Sequence, residues 1–142
     1  MTDDRTAPLG LFTLRVALGV MYVAHGLLKV LVFTPTGFAG FLAKTGNPEF
    51  LAWPIIVAEI AGGVALILGV YSRHVAAVLL PILIGAFFVH LPAGWQAGQG
   101  GWEYVAFLIA ASLTVILSGE GAYALKRAEL PGFVSRLVPQ PA

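Results

Sequence analysis

Arg15, Tyr22, His25 and Lys29 stand in an otherwise apolar stretch, Leu14–Phe33. At about 100° per residue they fall within an arc of roughly 80° on one helical face. An imidazole can exchange protons near neutral pH, an ammonium can polarise a carbonyl, and a phenol offers both a ring and a hydroxyl. Charged groups at membrane depth are costly and usually face partners inside a bundle. Snorkelling of Arg15 and Lys29 to opposite surfaces is the structural alternative. It leaves His25, and the sharing of one face, unexplained.

Four apolar runs of near-membrane length must position these groups: about 9–32, 53–70, 74–91 and 102–118. Taking ~1.5 Å per residue, His25 lies about 10 Å, and Glu59 about 9 Å, from the same end of the bundle. His90 closes the third run and Glu103 opens the fourth, near that end. Each run thus brings an ionisable group to one half of the membrane. His25 and Glu59 are the candidates for proton exchange, and Tyr22, Lys29, His90 and Glu103 for ligand binding. Each also has a structural reading: Glu59 as a salt-bridge partner of Lys29, His90 as a helix-end residue, Glu103 as a first-turn acid. Arg15, Arg73 and Glu120 form a second set at the opposite end, expected to latch the first helix to the turn after the second and to the end of the fourth.

The composition agrees with a membrane setting. Of 142 residues, 58% are hydrophobic and 11% charged, with mean hydropathy +0.89, where a soluble domain carries roughly a quarter charged residues. A net charge of +1 without a dense Lys/Arg cluster argues against nucleic acid. The absence of cysteine excludes disulfides, thiol relays and Cys-held zinc or iron–sulfur clusters within this chain. The expectation is one all-α domain over 1–142, an integral membrane four-helix bundle whose first helix is retained and whose tail is 119–142.

The connections add detail. Between the first two runs, Phe38, Phe41, Leu42 and Thr45 recur at helical spacing, which predicts a short amphipathic helix. A tight Tyr71-Ser72-Arg73 turn and a Gly-rich loop from Pro92 to Gly101 follow. Ala61, Ala65 and Gly69, with Ala58 and Gly62 beside them, suit close packing within the bundle, and Pro81 is placed to kink the third helix. Ala122–Leu130 reads as a short surface helix, and Val134 onward as interfacial or disordered. Arg5, Arg73, Lys126, Arg127 and Arg136 gather on the side of the termini, whereas Lys44 is the basic loop residue opposite. The positive-inside rule then makes both termini cytoplasmic in a bacterial-type plasma membrane, with Trp53, Trp95 and Trp102 as an outer aromatic belt.

The ordered set Arg15…Gly19…His25-Gly26-x-x-Lys29, Glu59-x-x-Gly62-Gly63…Gly69-x-x-x-Arg73, His90, Glu103 and Gly119-x-Gly121 resembles the DoxX family of small four-helix membrane proteins. The likeness runs from about Leu14 to Leu125. It departs at Gly119–Leu125, where many relatives end in Ser-Leu-Asp. The resemblance implies a membrane subunit linked to redox chemistry, such as a subunit of a thiosulfate:quinone oxidoreductase, or a component of complexes handling oxidative stress.

Two classes of function stay open. In one, a quinone sits near His25 and Glu59, with Lys29 or His90 polarising a carbonyl and Tyr22, Phe87 or Phe88 packing on the ring. A partner redox protein would supply electrons. In the other, the chain is a scaffold, alone or as a homo-oligomer, and the polar cluster only fixes packing. Haem b between His25 and His90 is disfavoured because His90 lies about a turn higher. A metal held by His25, Glu59, His90 and Glu103, or a solute or proton pathway, completes the alternatives. The topology is directly testable. A cysteine introduced at Gln96 should be labelled from outside intact cells, and a C-terminal reporter should work only in the cytoplasm. Protection of position 96 together with exposure of Arg73 would reverse the orientation.

Overall fold

The computed structural model describes residues 4–129, and Val134 onward and Arg136 lie outside them. The described residues form five α-helices and no strand: α1 Ala7–Leu31, α2 Pro35–Lys44, α3 Ala52–Leu68, α4 Ser72–His90 and α5 Glu103–Ser118. Short 3-10 turns at Glu49–Leu51, Leu91–Ala93 and Ala97–Gln99 join them. Three helices are long and apolar enough to cross a membrane: α1, α3 with its preceding turn, and α4 with its following turn. The fourth apolar helix, α5, has 16 residues, about 24 Å at ~1.5 Å per residue.

The expected amphipathic helix is α2. The Thr34 side chain accepts from Gly37 N–H at its start, and Phe38 and Leu42 bury against Ala52 and Ile56 of α3. Large apolar side chains elsewhere point outward, among them Val20, Leu31, Val57, Val78, Phe88, Phe107 and Leu117. In water such a surface would mark an interaction site; around these helices it is a lipid-facing coat. Pro81 lies on that exposed side, and α4 runs through it unbroken. Its ring has no i−4 hydrogen bond to make, and the outward position leaves room for it.

The tightest packing is α1 on α3. A Cβ on Gly19 would lie 2.7 Å from the Gly63 carbonyl oxygen, and one on Gly63 would lie 2.7 Å from that of Gly19. One helical repeat further, a Cβ on Gly26 would lie 2.6 Å from the Ile60 side chain. The missing side chains let the two backbones meet, and dispersion over the contact replaces the hydrophobic drive that lipid does not supply. Within α3 the small residues divide their work. Gly62 receives Leu79 of α4 and Gly69 receives the Arg15 guanidinium, whereas Ala61 is exposed and packs on neither neighbour.

In the Arg15, Arg73 and Glu120 set, both arginines bond to backbone oxygens. Arg15 is fully buried. Its guanidinium donates to the Leu66 and Ile67 carbonyls at the end of α3, and to the Glu120 and Ala122 carbonyls beyond α5. Arg73 donates to the Ile116 and Leu117 carbonyls at the end of α5, 2.8 Å each. Both cations thus cap helix C-termini, where free carbonyls and the dipole favour positive charge. The Glu120 carboxylate instead accepts from Ala128 N–H at 3.0 Å.

Residues 122–129 are not the expected surface helix. Leu125 and Lys126 N–H donate to the Leu68 and Gly69 carbonyls, and Tyr71 N–H to the Lys126 carbonyl. The α3–α4 turn offers these backbone groups partners, and an extended segment satisfies them where a helix would not.

Two comparisons test this framework. Gly19→Val forces a branched side chain into the Gly63 backbone and should cost about 1–3 kcal/mol or more, read as a lower midpoint of thermal unfolding. Gly10→Ala, with nothing near its added methyl, should be close to neutral. Arg15→Met strands several buried carbonyls and should cost about 3–5 kcal/mol. Glu120→Gln, which keeps its backbone acceptor, should cost about 1 kcal/mol or less. Equal losses for the last two would show that Arg15 depends on the carboxylate after all.

Candidate functional site

The polar stripe of α1 faces inward, where Lys29 and His25 meet different partners. Lys29 Nζ donates to both oxygens of Glu59 on α3, at 2.7 and 2.9 Å. This ion pair is largely enclosed, with Glu59 only 5% exposed. Lys29 also reaches back to the His25 carbonyl at 3.4 Å, and its ammonium lies 5.2 Å from the centre of the Phe38 ring. The α2 helix thus brings an aromatic face to the cation, a contact strengthened where water is scarce.

His25 is half-buried and turns to α5. Its Nε2 lies 3.3 Å from the Tyr104 hydroxyl, and the two rings stack with centres 5.8 Å apart. Either group can be the donor, depending on the imidazole tautomer. One turn deeper, the buried Tyr22 hydroxyl lies beside the buried Ser112 hydroxyl of α5, and neither has another hydrogen-bond partner. Two buried hydroxyls with no partner beyond each other leave hydrogen-bonding capacity that a small polar molecule can use.

The other candidates go elsewhere. The His90 ring bonds through Nδ1 to the Gly100 carbonyl oxygen at 2.7 Å, and the Glu103 carboxylate accepts from Ala97 N–H at 2.8 Å. Both fasten the 91–102 loop, and neither hydrogen-bonds to the Lys29–Glu59 pair. The loop needs partners for its turned backbone, and these two side chains are the nearest to provide them. Phe87 packs edge-on against Trp102 with ring centres 5.4 Å apart, and Phe88 faces outward. The quartet His25, Glu59, His90 and Glu103 is not assembled for a metal: among the described residues no three His, Cys, Asp or Glu side chains gather as ligands.

Two contributors escaped sequence reading. Tyr104 follows Glu103, and the depth arithmetic that aligned His25 with the start of the fourth helix also applies to it. Phe38 was visible as part of the amphipathic segment, but nothing in the spacing signalled that its ring would meet a cation. The arrangement as a whole offers a proton-exchanging imidazole–phenol pair, a charge pair within one helical turn of it, and two neighbouring buried hydroxyls.

Comparison with known proteins places this architecture. The DoxX family model matches residues 10–91, which hold α1 to α4 with Arg15, Tyr22, His25, Lys29, Glu59 and Arg73. An uncharacterized protein of Haemophilus influenzae is 31% identical over 131 residues, covering 86% of this chain and 92% of its own. A Bacillus subtilis protein named "Putative oxidoreductase CatD" is 31% identical over 123 residues, covering 86% of this chain and 88% of its own. No solved structure matches. With more than half its length matched by the family model and two full-length relatives at this identity, the chain belongs to the DoxX family.

Proposed function

We propose that the chain is the membrane subunit of a redox system, and that His25, Lys29, Glu59 and Tyr104 form the polar wall of a site for a quinone-class ring. In this reading α1, α3, α4 and α5 cross the plasma membrane as a four-helix bundle with both termini cytoplasmic. The short α5 is accommodated by local bilayer thinning and by Trp102 at its end. The family and the name of the Bacillus subtilis relative support a redox role.

The observation that carries the reading is the meeting, at one end of the bundle, of the His25–Tyr104 and Lys29–Glu59 pairs above the neighbouring Tyr22 and Ser112 hydroxyls. A bound carbonyl or hydroxyl would give these two hydroxyls a hydrogen bond beyond the one they can make to each other. A quinone, when bound, supplies two-electron, two-proton chemistry. His25 and Glu59 would exchange the protons, Lys29 would polarise a ring oxygen, and Tyr22 would pack against the ring. Electrons would come from or pass to a partner protein.

A second reading, the scaffold, is favoured by one observation: the ammonium and carboxylate satisfy each other on both oxygens, beneath Phe38. Glu59→Gln separates the two. As the wall of a site, the variant should stay folded but bind a short-tailed ubiquinone or menaquinone at least tenfold more weakly, read by quenching of tryptophan fluorescence. Adding Lys29→Met should not restore binding. As a structural pair, Glu59→Gln should lower thermal stability by as much as about 3–5 kcal/mol, and the double variant should recover much of it. Undiminished quinone binding by Glu59→Gln, or binding that returns with Lys29→Met, would sink the quinone-site reading.

A further inference from the structure

Between α3 and α4, facing away from α1, runs an open apolar groove of about 600 Å3. Its rims are Val57 and Val78, both well exposed, and its wall includes Ala61. At Gly62 the missing side chain lets Leu79 of α4 pack close to α3. A Cβ there would lie 2.8 Å from Leu79, which forms the floor. Along α4, from Tyr71 to Leu79, it follows roughly 12 Å of helix. At the end remote from the Lys29–Glu59 pair it closes on Tyr71 and His74, both exposed.

That end is basic. The Lys126 ammonium sits 4.9 Å from the centre of the Tyr71 ring, held there by the backbone pairing of the tail with the α3–α4 turn. Among the described residues Lys126 has no carboxylate partner. The neighbouring Tyr71 side chain raises its pKa, so it stays protonated at neutral pH. An apolar channel along two membrane helices that ends at the interface in a cation matches an amphiphile with a long apolar chain and an anionic head.

We propose that this groove seats one anionic phospholipid, its acyl chain lying between Val57 and Val78 and its phosphate meeting Lys126 and His74. The chain supplies apolar contact along α3 and α4, and the head supplies the counter-charge that the protein does not provide. One basic residue at a membrane surface favours an anionic over a zwitterionic lipid by about fivefold. The proposal is independent of the quinone reading, since the groove and the polar pairs occupy opposite faces of α3.

The test uses the full chain, exposed to vesicles of equal palmitoyl-oleoyl phosphatidylglycerol and phosphatidylcholine and then analysed by native mass spectrometry. The wild type should retain one phosphatidylglycerol, about fivefold over phosphatidylcholine. Lys126→Gln should keep a lipid but lose most of the preference. Ala61→Phe, at an exposed position, should fill the groove and abolish retention with unfolding temperature unchanged; if it destabilises, Val78→Trp fills the opposite rim. Equal retention of both lipids by the wild type, a preference that survives Lys126→Gln, or retention in a folded groove-filled variant would overturn the proposal. So would spontaneous disulfide dimers of Ala61→Cys in membranes, in this otherwise cysteine-free chain, because a second copy would then occupy the groove.

Discussion

A cation buried between helices in lipid must find its counter-groups within reach of its own side chain, and α1 carries one near each end. Arg15 meets neutral carbonyls at the C-terminal end of α3, whereas Lys29 meets a carboxylate in its N-terminal half. The chemistry suits each residue. A guanidinium can spread five donors over several carbonyls, and an ammonium is a compact point charge suited to one carboxylate. Between these anchors Gly19 and Gly26 let the backbones approach. A shift of either helix by one turn, about 5.4 Å, would break both anchors and press side chains into the glycine contacts. The register of α1 on α3 is thereby fixed from three sides, and the remaining helices pack on a pair that cannot slide.

Much of this was legible because lipid leaves few options. The four apolar runs appear as α1, α3, α4 and α5 with ends displaced by at most two residues, and Glu59 was already named as a partner for Lys29. The amphipathic spacing of Phe38, Phe41 and Leu42 became α2 because alternation at helical period is a local property. What sequence could not supply was the choice among acceptors. Arg15 was grouped with Arg73 and Glu120 without its acceptors being named, and near a helix end free carbonyls are numerous and already oriented. His90 and Glu103 were grouped with the polar pairs by depth alone. Depth does not say which side a helix end faces, and the adjoining loop claimed both. The tail after Gly119 carries helix-forming residues, but open backbone groups at the α3–α4 turn outweighed that weak local preference.

The pairs at the opposite end have a shared cover. Phe38 stands over Lys29, and it is delivered by a helix joined to α1 by only a few residues. In the redox reading, a ring that stacks near Lys29 replaces one aromatic contact with another, so the exchange is nearly balanced in packing and cation–π energy. The selectivity of such a site then rests on hydrogen bonds to its polar wall.

The polar stripe of α1 also bears on how the protein is made. On insertion scales, Arg or Lys at a helix centre costs about 2.5–3.5 kcal/mol, and α1 carries Arg15 and Lys29 with His25 between them. Synthesised before α3, it enters lipid with no carbonyl or carboxylate from that helix yet available. Its stable residence in the bilayer therefore waits for roughly forty further residues of synthesis, until α3 can dock. Biogenesis thus proceeds by pairs of helices, and the first transmembrane segment is completed by a later one.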